Sequence, residues 1–224
     1  AKDSNGIYGR AYERDSEGRI IRMTYLDQNG NPKNSRLGVA GWAYEYDEEG
    51  KRINSYAFDL KGDRIRGEDG FALQELEYDG DGNVTECRYL DENGELCMTR
   101  KGYAREEMTY DRQGFLIKTC GFDTEGEPAF DTENGVHGYE LEYDSQGYLC
   151  RMTSVGGDGS PTASGIGYCT AEYVMDQQGR PVKMRYFDAA GEPACHRQRG
   201  EYGADISYDA KGNITEVIFL NQEE

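Results

Sequence analysis

Histidine is the side chain best suited to proton transfer at neutral pH, and the chain contains His137 and His196. His196 directly follows Cys195. A nucleophilic Cys–His pair needs the two side chains to face each other, whereas neighbours along a strand point to opposite faces. We therefore do not expect a cysteine-based active site.

Carboxylates are abundant, so a pair of the kind that glycosidases use is conceivable, but no spacing singles out one pair. The segment Asp79-Gly-Asp-Gly-Asn83 is similar to the start of a calcium-binding loop. Such a loop would need glycine where Val84 stands and a bidentate glutamate where Leu90 stands. The sequence therefore predicts no catalytic residue, no metal ligand and no cofactor site.

The cysteines show no metal-binding or disulfide pattern. They are Cys87, Cys97, Cys120, Cys150, Cys169 and Cys195, without C-x-x-C spacing and without a shared repeat position. We interpret them as small buried apolar side chains, which favours a reducing or anaerobic setting.

The charge balance limits the choice of partners. With 25 basic and 43 acidic residues, the net charge is −18, which disfavours binding to nucleic acid and to anionic lipid. No apolar run approaches the roughly 18 residues of a membrane span, so we expect no membrane insertion. Protein or glycan partners remain. No signal peptide is apparent, and we expect a segment of a larger protein, which leaves the compartment unknown.

A repeat of 32 or 33 residues organises the chain. Its copies open at Gly6, Gly38, Gly70, Gly102, Gly135, Gly167 and Gly200. Each copy also contains Asp-x-x-Gly segments, which begin at Asp15, Asp27, Asp47, Asp59, Asp79, Asp91, Asp111, Asp123, Asp144, Asp176, Asp188 and Asp209, with Gly156 in one aspartate position. We treat residues 1–224 as one repeat domain.

The Asp-x-x-Gly segments predict hairpin turns. Aspartate at the first position accepts a backbone hydrogen bond, and glycine at the fourth adopts positive φ, often with a bulge. The intervening segments, such as Lys51–Phe58, have the length of strands. The sequence thus predicts an all-β fold of tandem hairpins, in which each copy reads strand, turn, strand, turn, strand and loop.

Alternating residues before the first turn predict one aromatic and one acidic face. Tyr44 and Tyr46 would share one face, and Glu45 would lie on the other. Lys118, Arg151 and Lys183 in the middle strands could pair with Glu107, Glu140 and Glu172 across a plain turn. A glycine bulge would shift that register, and the sequence leaves the choice open.

The terminal copies and the fifth copy depart from the pattern. Arg14 replaces the tyrosine before the first turn, and Asn221 takes the last aspartate position. The fifth copy has Val155-Gly-Gly-Asp-Gly-Ser-Pro161, read as a looser solvent turn or, alternatively, a ligand-contacting loop. Atypical ends and copies shorter than the roughly 40–45 residues of a propeller blade favour an elongated twisted sheet or solenoid.

The turn segments resemble the YD repeats of RHS-type bacterial proteins. They read YDEEGK, YDGDGN, YDRQGF, YDSQGY and YDAKGN, beginning at Tyr46, Tyr78, Tyr110, Tyr143 and Tyr208. The resemblance implies a long wound β-sheet, found at cell surfaces or as a shell around toxin domains. The alternating short and long turn spacing departs from that family, so the resemblance bears on architecture more than on function.

These observations favour a non-catalytic binding or spacer module of a larger bacterial surface or envelope protein. The alternatives are a carbohydrate-active enzyme with paired carboxylates and a purely structural stalk. A pocket with convergent carboxylates would favour the enzyme, and a tyrosine-rich face would favour binding.

Overall fold

The structure is a computed structural model that describes residue 3 and residues 6–223. Its regular structure is entirely β. The first seven strands are β1 (Gly9–Arg14), β2 (Ile20–Leu26), β3 (Gly41–Tyr46), β4 (Arg52–Phe58), β5 (Leu73–Tyr78), β6 (Val84–Leu90) and β7 (Arg105–Tyr110). The others are β8 (Leu116–Phe122), β9 (Gly138–Tyr143), β10 (Leu149–Val155), β11 (Thr170–Met175), β12 (Pro181–Phe187), β13 (Gly203–Tyr208) and β14 (Ile214–Phe219). They form one open antiparallel sheet in chain order, which confirms the predicted hairpin repeat.

The Asp-x-x-Gly turns have the predicted geometry. At Asp47, the backbone N–H of Gly50 donates to the Asp47 carbonyl oxygen, and the Asp47 N–H donates to the Lys51 carbonyl oxygen. The Asp47 carboxylate oxygen Oδ1 accepts the N–H groups of Glu49 and Lys51 at 3.0 and 2.8 Å. Gly50 has a φ of +84°, which an L side chain adopts only with strain. The aspartate thus holds its turn through its own backbone neighbours.

A register shift accompanies the first turn of six described hairpins, yet the cationic side chains stay on the acidic face. In the hairpin of β9 and β10, the register shifts between Leu149 and Arg151. Arg151 then lies opposite Glu142 within the hairpin and opposite Glu172 of the next strand.

The specific cross-hairpin pairs considered from the sequence do not form in the described hairpins. Glu140 lies opposite Thr153 within its hairpin and opposite Lys118 of the preceding strand. Lys183 lies opposite Val174 rather than Glu172. Lys118 pairs with Glu140 of the next hairpin at 3.1 Å, and Arg151 lies 3.7 Å from Glu142 and 3.5 Å from Glu172. Sequence spacing within one hairpin could not show these pairs.

The predicted third strand of each copy is only an isolated bridge. Leu26 bridges Pro32, and the same contact recurs in five further copies. Soon afterwards the chain enters a third turn, in which Gly38 N–H donates to the Ser35 carbonyl oxygen. The copy-opening glycine is therefore the positive-φ residue of this third turn. Too few residues lie between the two turns for a strand to extend.

The third turn also explains why some copies are one residue longer. In most copies its closing glycine follows the first turn residue by three, as in Ser35 to Gly38. Before Gly135 and Gly200 the interval is four, because the glycine N–H donates to Asp131 and His196 respectively. The added residue therefore lies in a turn, where it leaves the strand register intact.

By its internal contacts the chain divides into two compact units. The first unit comprises Ala1–Glu107 and Asp123–Glu127, and the second comprises Met108–Phe122 and Pro128–Glu224. A core of the first unit packs Ala40, Ala43 and Phe58 together, and one of the second packs Tyr168 flat against Tyr186. The assignment of residues 1–224 to one domain stays a prediction. Within the described residues, no helix is long and apolar enough to cross a membrane.

Candidate functional site

The aromatic face of the first unit is built from two rows of side chains. Alternate residues of a strand share a face, so residues in register across strands form rows. One row runs Tyr12, Met23, Trp42 across β1 to β3. The other runs Tyr44, Ser55, Gln74, Tyr89 across β3 to β6.

The third turns of two copies add further residues beside these rows. The turn from Gly67 to Gly70 places Asp69 and Phe71 beside the rows, and the turn that begins at Thr99 adds Lys101. The two turns are linked, because the Arg100 N–H donates to the Asp69 carbonyl oxygen at 2.9 Å. Repeats therefore position these side chains by stacking turn against turn.

Together these residues enclose an open groove of about 670 Å³, within the usual size range of small-ligand sites. We call it the aromatic groove. Its aromatic residues are Tyr12, Tyr25, Trp42, Tyr44, Phe71 and Tyr89, and Met23 lies among them. Its polar residues are Arg10, Arg52, Asp69, Lys101, Ser55, Gln74 and Thr99.

A connected set of rings forms one side of the groove. The ring centroids of Trp42 and Phe71 are 6.0 Å apart at an interplanar angle of 60°, and those of Phe71 and Tyr89 are 4.9 Å apart. Phe71 and Tyr89 are buried, whereas Tyr12 is 51% exposed. The buried Phe71 ring thus helps to fix the position of Trp42.

Burial disfavours ionisation of two groove tyrosines, Tyr89 and Tyr44. Burial raises the pKa of Tyr89 well above its usual value, and nearby Cys87 and Glu106 raise it further. Its hydroxyl donates to the Glu106 carboxylate. Burial also raises the pKa of Tyr44, although the Arg52 guanidinium opposes this shift.

Ser55 lies in the groove lining with an unsatisfied hydroxyl. Its side chain is buried, at 4% exposure, and its Oγ has no hydrogen-bond partner among the described residues. Leaving a buried polar group unpaired costs about 1–3 kcal/mol. Ser154 in the second unit shows the ordinary arrangement, because its Oγ donates to two carbonyl oxygens at 2.9 Å.

The described hydrogen bonds of the two histidine rings are with backbone groups. His137 is buried, with Nδ1 3.1 Å from the Ala129 carbonyl oxygen and its ring against Phe122. His196 accepts the Gln198 N–H at Nδ1. The Cys195 thiol donates to the backbone carbonyl oxygen of His196 at 3.6 Å, so its one described hydrogen bond is not to the imidazole ring.

All six cysteines are free thiols. Cys87, Cys97 and Cys169 are buried as predicted, and the other three are half-buried. Burial raises the pKa of the thiols of Cys87, Cys97, Cys150 and Cys169, which opposes thiolate formation. Within the described part of the chain, no group of three His, Cys, Asp or Glu side chains could hold a metal ion.

Carboxylates of the strands converge on arginines rather than on a cavity. Arg88 lies 2.8 Å from Glu77 and 3.4 Å from Glu75, and Arg105 lies 2.9 Å from Glu86 and 2.6 Å from Glu107. This acidic face of the first unit is thus a ladder of ion pairs. Among the residues that line the aromatic groove, Asp69 is the one carboxylate.

The unusual loop of the fifth copy is a regular turn. Gly156 N–H donates to the Ser160 carbonyl oxygen, and Gly159 N–H donates to Gly156. Since Gly156 has no carboxylate, Asp158 accepts the Ser160 N–H instead. The loop therefore keeps the backbone hydrogen bonds of the other turns.

Sequence reasoning did not find the aromatic groove. The alternation places Tyr44 on an aromatic face, but it gives no reason to separate a groove from a core. The sequence does contain a signal for the third turn. Ser35, Thr99 and Ser164 each lie three residues before a copy-opening glycine. Such hydroxyl residues favour tight turns, and a third turn in each copy provides the walls.

Comparisons with known proteins concern the fold. No protein-family model matches the chain, and no curated protein matches it. A solved structure of the Photorhabdus luminescens Tc holotoxin pore is similar over 93% of this chain and 9% of that one, with 17% identity and a TM-score of 0.53. A crystal structure of TcdB2-TccC3 without its hypervariable C-terminal region matches over 95% of this chain and 11% of that one, with 16% identity and a TM-score of 0.44.

The chain spans about a tenth of the length of these neighbours. At such low identity the likeness concerns the fold alone. The likeness to the Tc holotoxin pore structure is consistent with the RHS-type architecture that the YD segments imply.

Proposed function

We propose that the chain is a non-catalytic binding module of a larger bacterial surface or envelope protein, with the aromatic groove as its ligand surface. The groove carries this proposal. Its rings, open access and phenol hydroxyls suit a ligand that packs on ring faces and exchanges hydrogen bonds with hydroxyl and amide groups.

The distribution of carboxylates supports binding over catalysis. A glycosidase needs two carboxylates on either side of the bond that breaks. In the groove lining Asp69 has no second carboxylate beside it. Most strand carboxylates of the first unit are engaged with arginines, and Glu106 accepts the Tyr89 hydroxyl. The carbohydrate-active enzyme is therefore the weaker alternative.

A structural spacer is the second candidate. The neighbouring structures are parts of a bacterial toxin assembly, and this chain matches only a small part of their length. That likeness supports a bacterial protein-assembly setting and a scaffold role for the repeats. A spacer would not need the aromatic groove, which makes the two candidates separable.

Trp42 provides the test, because it is the single tryptophan of the chain and lines the aromatic groove. Its fluorescence and its indole N–H resonance should respond to a glycan or peptide ligand in a panel screen. Tyr44→Ala should weaken the response, whereas Tyr173→Ala in the second unit should not. A panel without any saturable response at Trp42 would favour the spacer, and product formation from a glycan would favour the enzyme.

A further inference from the structure

The aromatic groove gathers cations in an otherwise acidic chain. The whole chain carries −18, yet the groove lining contains Arg10, Arg52 and Lys101 against Asp69, and of these cations Arg10 lies 3.7 Å from Asp3. Arg52 and Lys101 have no ion-pair partner among the residues that the structure describes. An acidic protein has thus placed unpaired cations beside a set of rings, which favours an anionic ligand.

The rings limit the shape of that ligand. Trp42 and Tyr44 present half-buried faces in adjacent rows, and Arg52 lies 5.8 Å from the Tyr44 ring centroid. A sugar ring has an apolar C–H face that packs on an aromatic face, while its edge carries hydroxyls. Placing a carboxylate on that edge would let the sugar reach Arg52 while it covers a ring.

The neutral polar groups match the remaining edge of a sugar. Ser55 has a buried hydroxyl without a partner among the described residues, and it stands between Tyr44 and Gln74 in the same row. An unpaired buried hydroxyl gains most from a ligand that supplies its missing hydrogen bond. This observation is independent of the charge and points to a hydroxyl-bearing ligand.

Other anionic ligands fit less well. An extended acidic peptide is usually held by main-chain hydrogen bonds at a sheet edge, but the aromatic groove lies on a sheet face whose backbone groups already pair between strands. A phosphate is typically held at a helix N-terminus, and the described residues contain no helix.

We infer that the aromatic groove binds an acidic oligosaccharide whose sugars carry carboxylates, of the hexuronate class. This inference rests on the proposed binding function. Trp42 and Tyr44 pack against the sugar rings, Arg52 and Lys101 pair with the carboxylates, and Ser55 bonds a sugar hydroxyl.

The first experiment titrates the intact chain with tetragalacturonate and with a hyaluronan tetrasaccharide, while Trp42 fluorescence is recorded. Fully methyl-esterified tetragalacturonate serves as the neutral match, and tetraglutamate serves as the acidic peptide. We expect saturable binding of at least one hexuronate, weakened by salt, and binding about tenfold weaker for the ester. Equal binding of the ester, or binding of tetraglutamate alone, would overturn the hexuronate inference but keep the binding module.

The second experiment uses variants. Arg52→Gln and Lys101→Gln should each weaken hexuronate binding several-fold, whereas Arg151→Gln, on the acidic face of the second unit, should leave it unchanged. Unaltered affinity in both groove variants would overturn the inference. If neither hexuronate binds and no member of the wider glycan and peptide panel does, the proposed function itself fails.

The third experiment separates a ligand-binding hydroxyl from a structural one. Ser55→Ala should weaken hexuronate binding while the melting temperature stays equal or rises, because the lost hydroxyl has no partner in the described structure. Ser154→Ala should lower the melting temperature and leave binding intact, since its hydroxyl bonds two carbonyl oxygens. Loss of stability in Ser55→Ala with unchanged affinity would contradict the role assigned to Ser55.

Discussion

The Tyr46 hydroxyl donates a hydrogen bond to the carbonyl oxygen of Ile20, in the preceding hairpin, at 2.7 Å. Neighbouring hairpins share a short ladder, because β2 and β3 pair only through Arg22, Met23 and Thr24. The tyrosine reaches a carbonyl beyond the end of this ladder. The same contact recurs from Tyr78 to Arg52, Tyr143 to Leu116 and Tyr208 to Pro181. The tyrosine of the YD segment is thus a link between successive repeats.

A second contact accompanies this link. The residue after the turn glycine packs on the ring of the next repeat's tyrosine, as Arg19 does at 4.9 Å from the Tyr46 centroid and Arg180 at 4.4 Å from that of Tyr208. Phe115 stacks on Tyr143 in the same way at 4.8 Å. Cations and aromatic rings are interchangeable here because both are attracted to an aromatic face.

We therefore expect Tyr46→Phe to lower the free energy of unfolding by about 1 kcal/mol, the net value of one such hydrogen bond. The ring and its contact with Arg19 would be retained. Denaturant unfolding at equilibrium measures the change. Tyr12→Phe is the control, because Tyr12 is half-exposed and its hydroxyl makes no hydrogen bond with the described residues. Equal losses in both variants would show that the hydroxyl contact is not the cause.

The copy that contains Asp176 lacks the tyrosine although a hairpin precedes it, which allows the opposite test. Met175 occupies the tyrosine position before Asp176, and the Leu149 carbonyl stands where the acceptor would be. Met175→Tyr should raise the free energy of unfolding by about 0.5–1 kcal/mol. Met175→Phe supplies the ring without the hydroxyl and should give a smaller gain. If the phenylalanine variant stabilises as much, packing rather than hydrogen bonding accounts for the effect.

Two glycines of one turn should respond in opposite ways to alanine. Gly82 has a φ of +89°, so Gly82→Ala should destabilise the chain by about 1 kcal/mol or more. Gly80, two residues earlier, is outside the positive-φ set and has open space around its Cβ position. Gly80→Ala should therefore be neutral or slightly stabilising. Equal melting temperatures for the two variants would disprove the turn assignment.

Turn chemistry was predictable because it is local. Asp47 and Gly50 determine their turn through hydrogen bonds within five residues, so the hairpin repeat followed from spacing alone. The register of Arg151 was not predictable, because it depends on a bulge and on two neighbouring strands. Ser55 could not be recognised as a candidate from the sequence, because its role depends on a buried hydroxyl without a hydrogen-bond partner among the described residues.

Acid should unfold the chain through its turn aspartates. Hydrogen bonds hold the pKa of several below the usual 3.8, led by the Arg19 side chain at Asp15 and by the Asn83 side chain at Asp79. A depressed folded-state pKa contributes stability above the unfolded value and loses it as pH falls through the folded value. The melting temperature should therefore change little from these groups between about pH 7 and pH 5, and fall below about pH 4.

The control for acid unfolding replaces the titrating carboxylate but keeps a side-chain oxygen that accepts the backbone hydrogen bond. Asn221 already occupies an aspartate position, and its Oδ1 accepts the Glu223 N–H at 2.8 Å. Asp79→Asn should therefore keep the turn but make the melting temperature less sensitive to acid. An unchanged acid dependence in this variant would contradict the contribution assigned to Asp79.

The turn aspartates also raise the question of calcium. Aspartates recur at one corner of successive hairpins, and the net charge is −18, which attracts cations in general. At Asp47, however, Oδ1 already accepts two backbone N–H groups, and the same holds at Asp59 and Asp188. A calcium site needs six to eight oxygen ligands around one point.

We therefore expect calcium and magnesium at millimolar levels to raise the melting temperature modestly and about equally, by screening. Thermal melts with each ion, before and after chelation, measure the effect. A rise of many degrees with calcium alone, reversed by the chelator, would instead show that the acidic corners form specific sites.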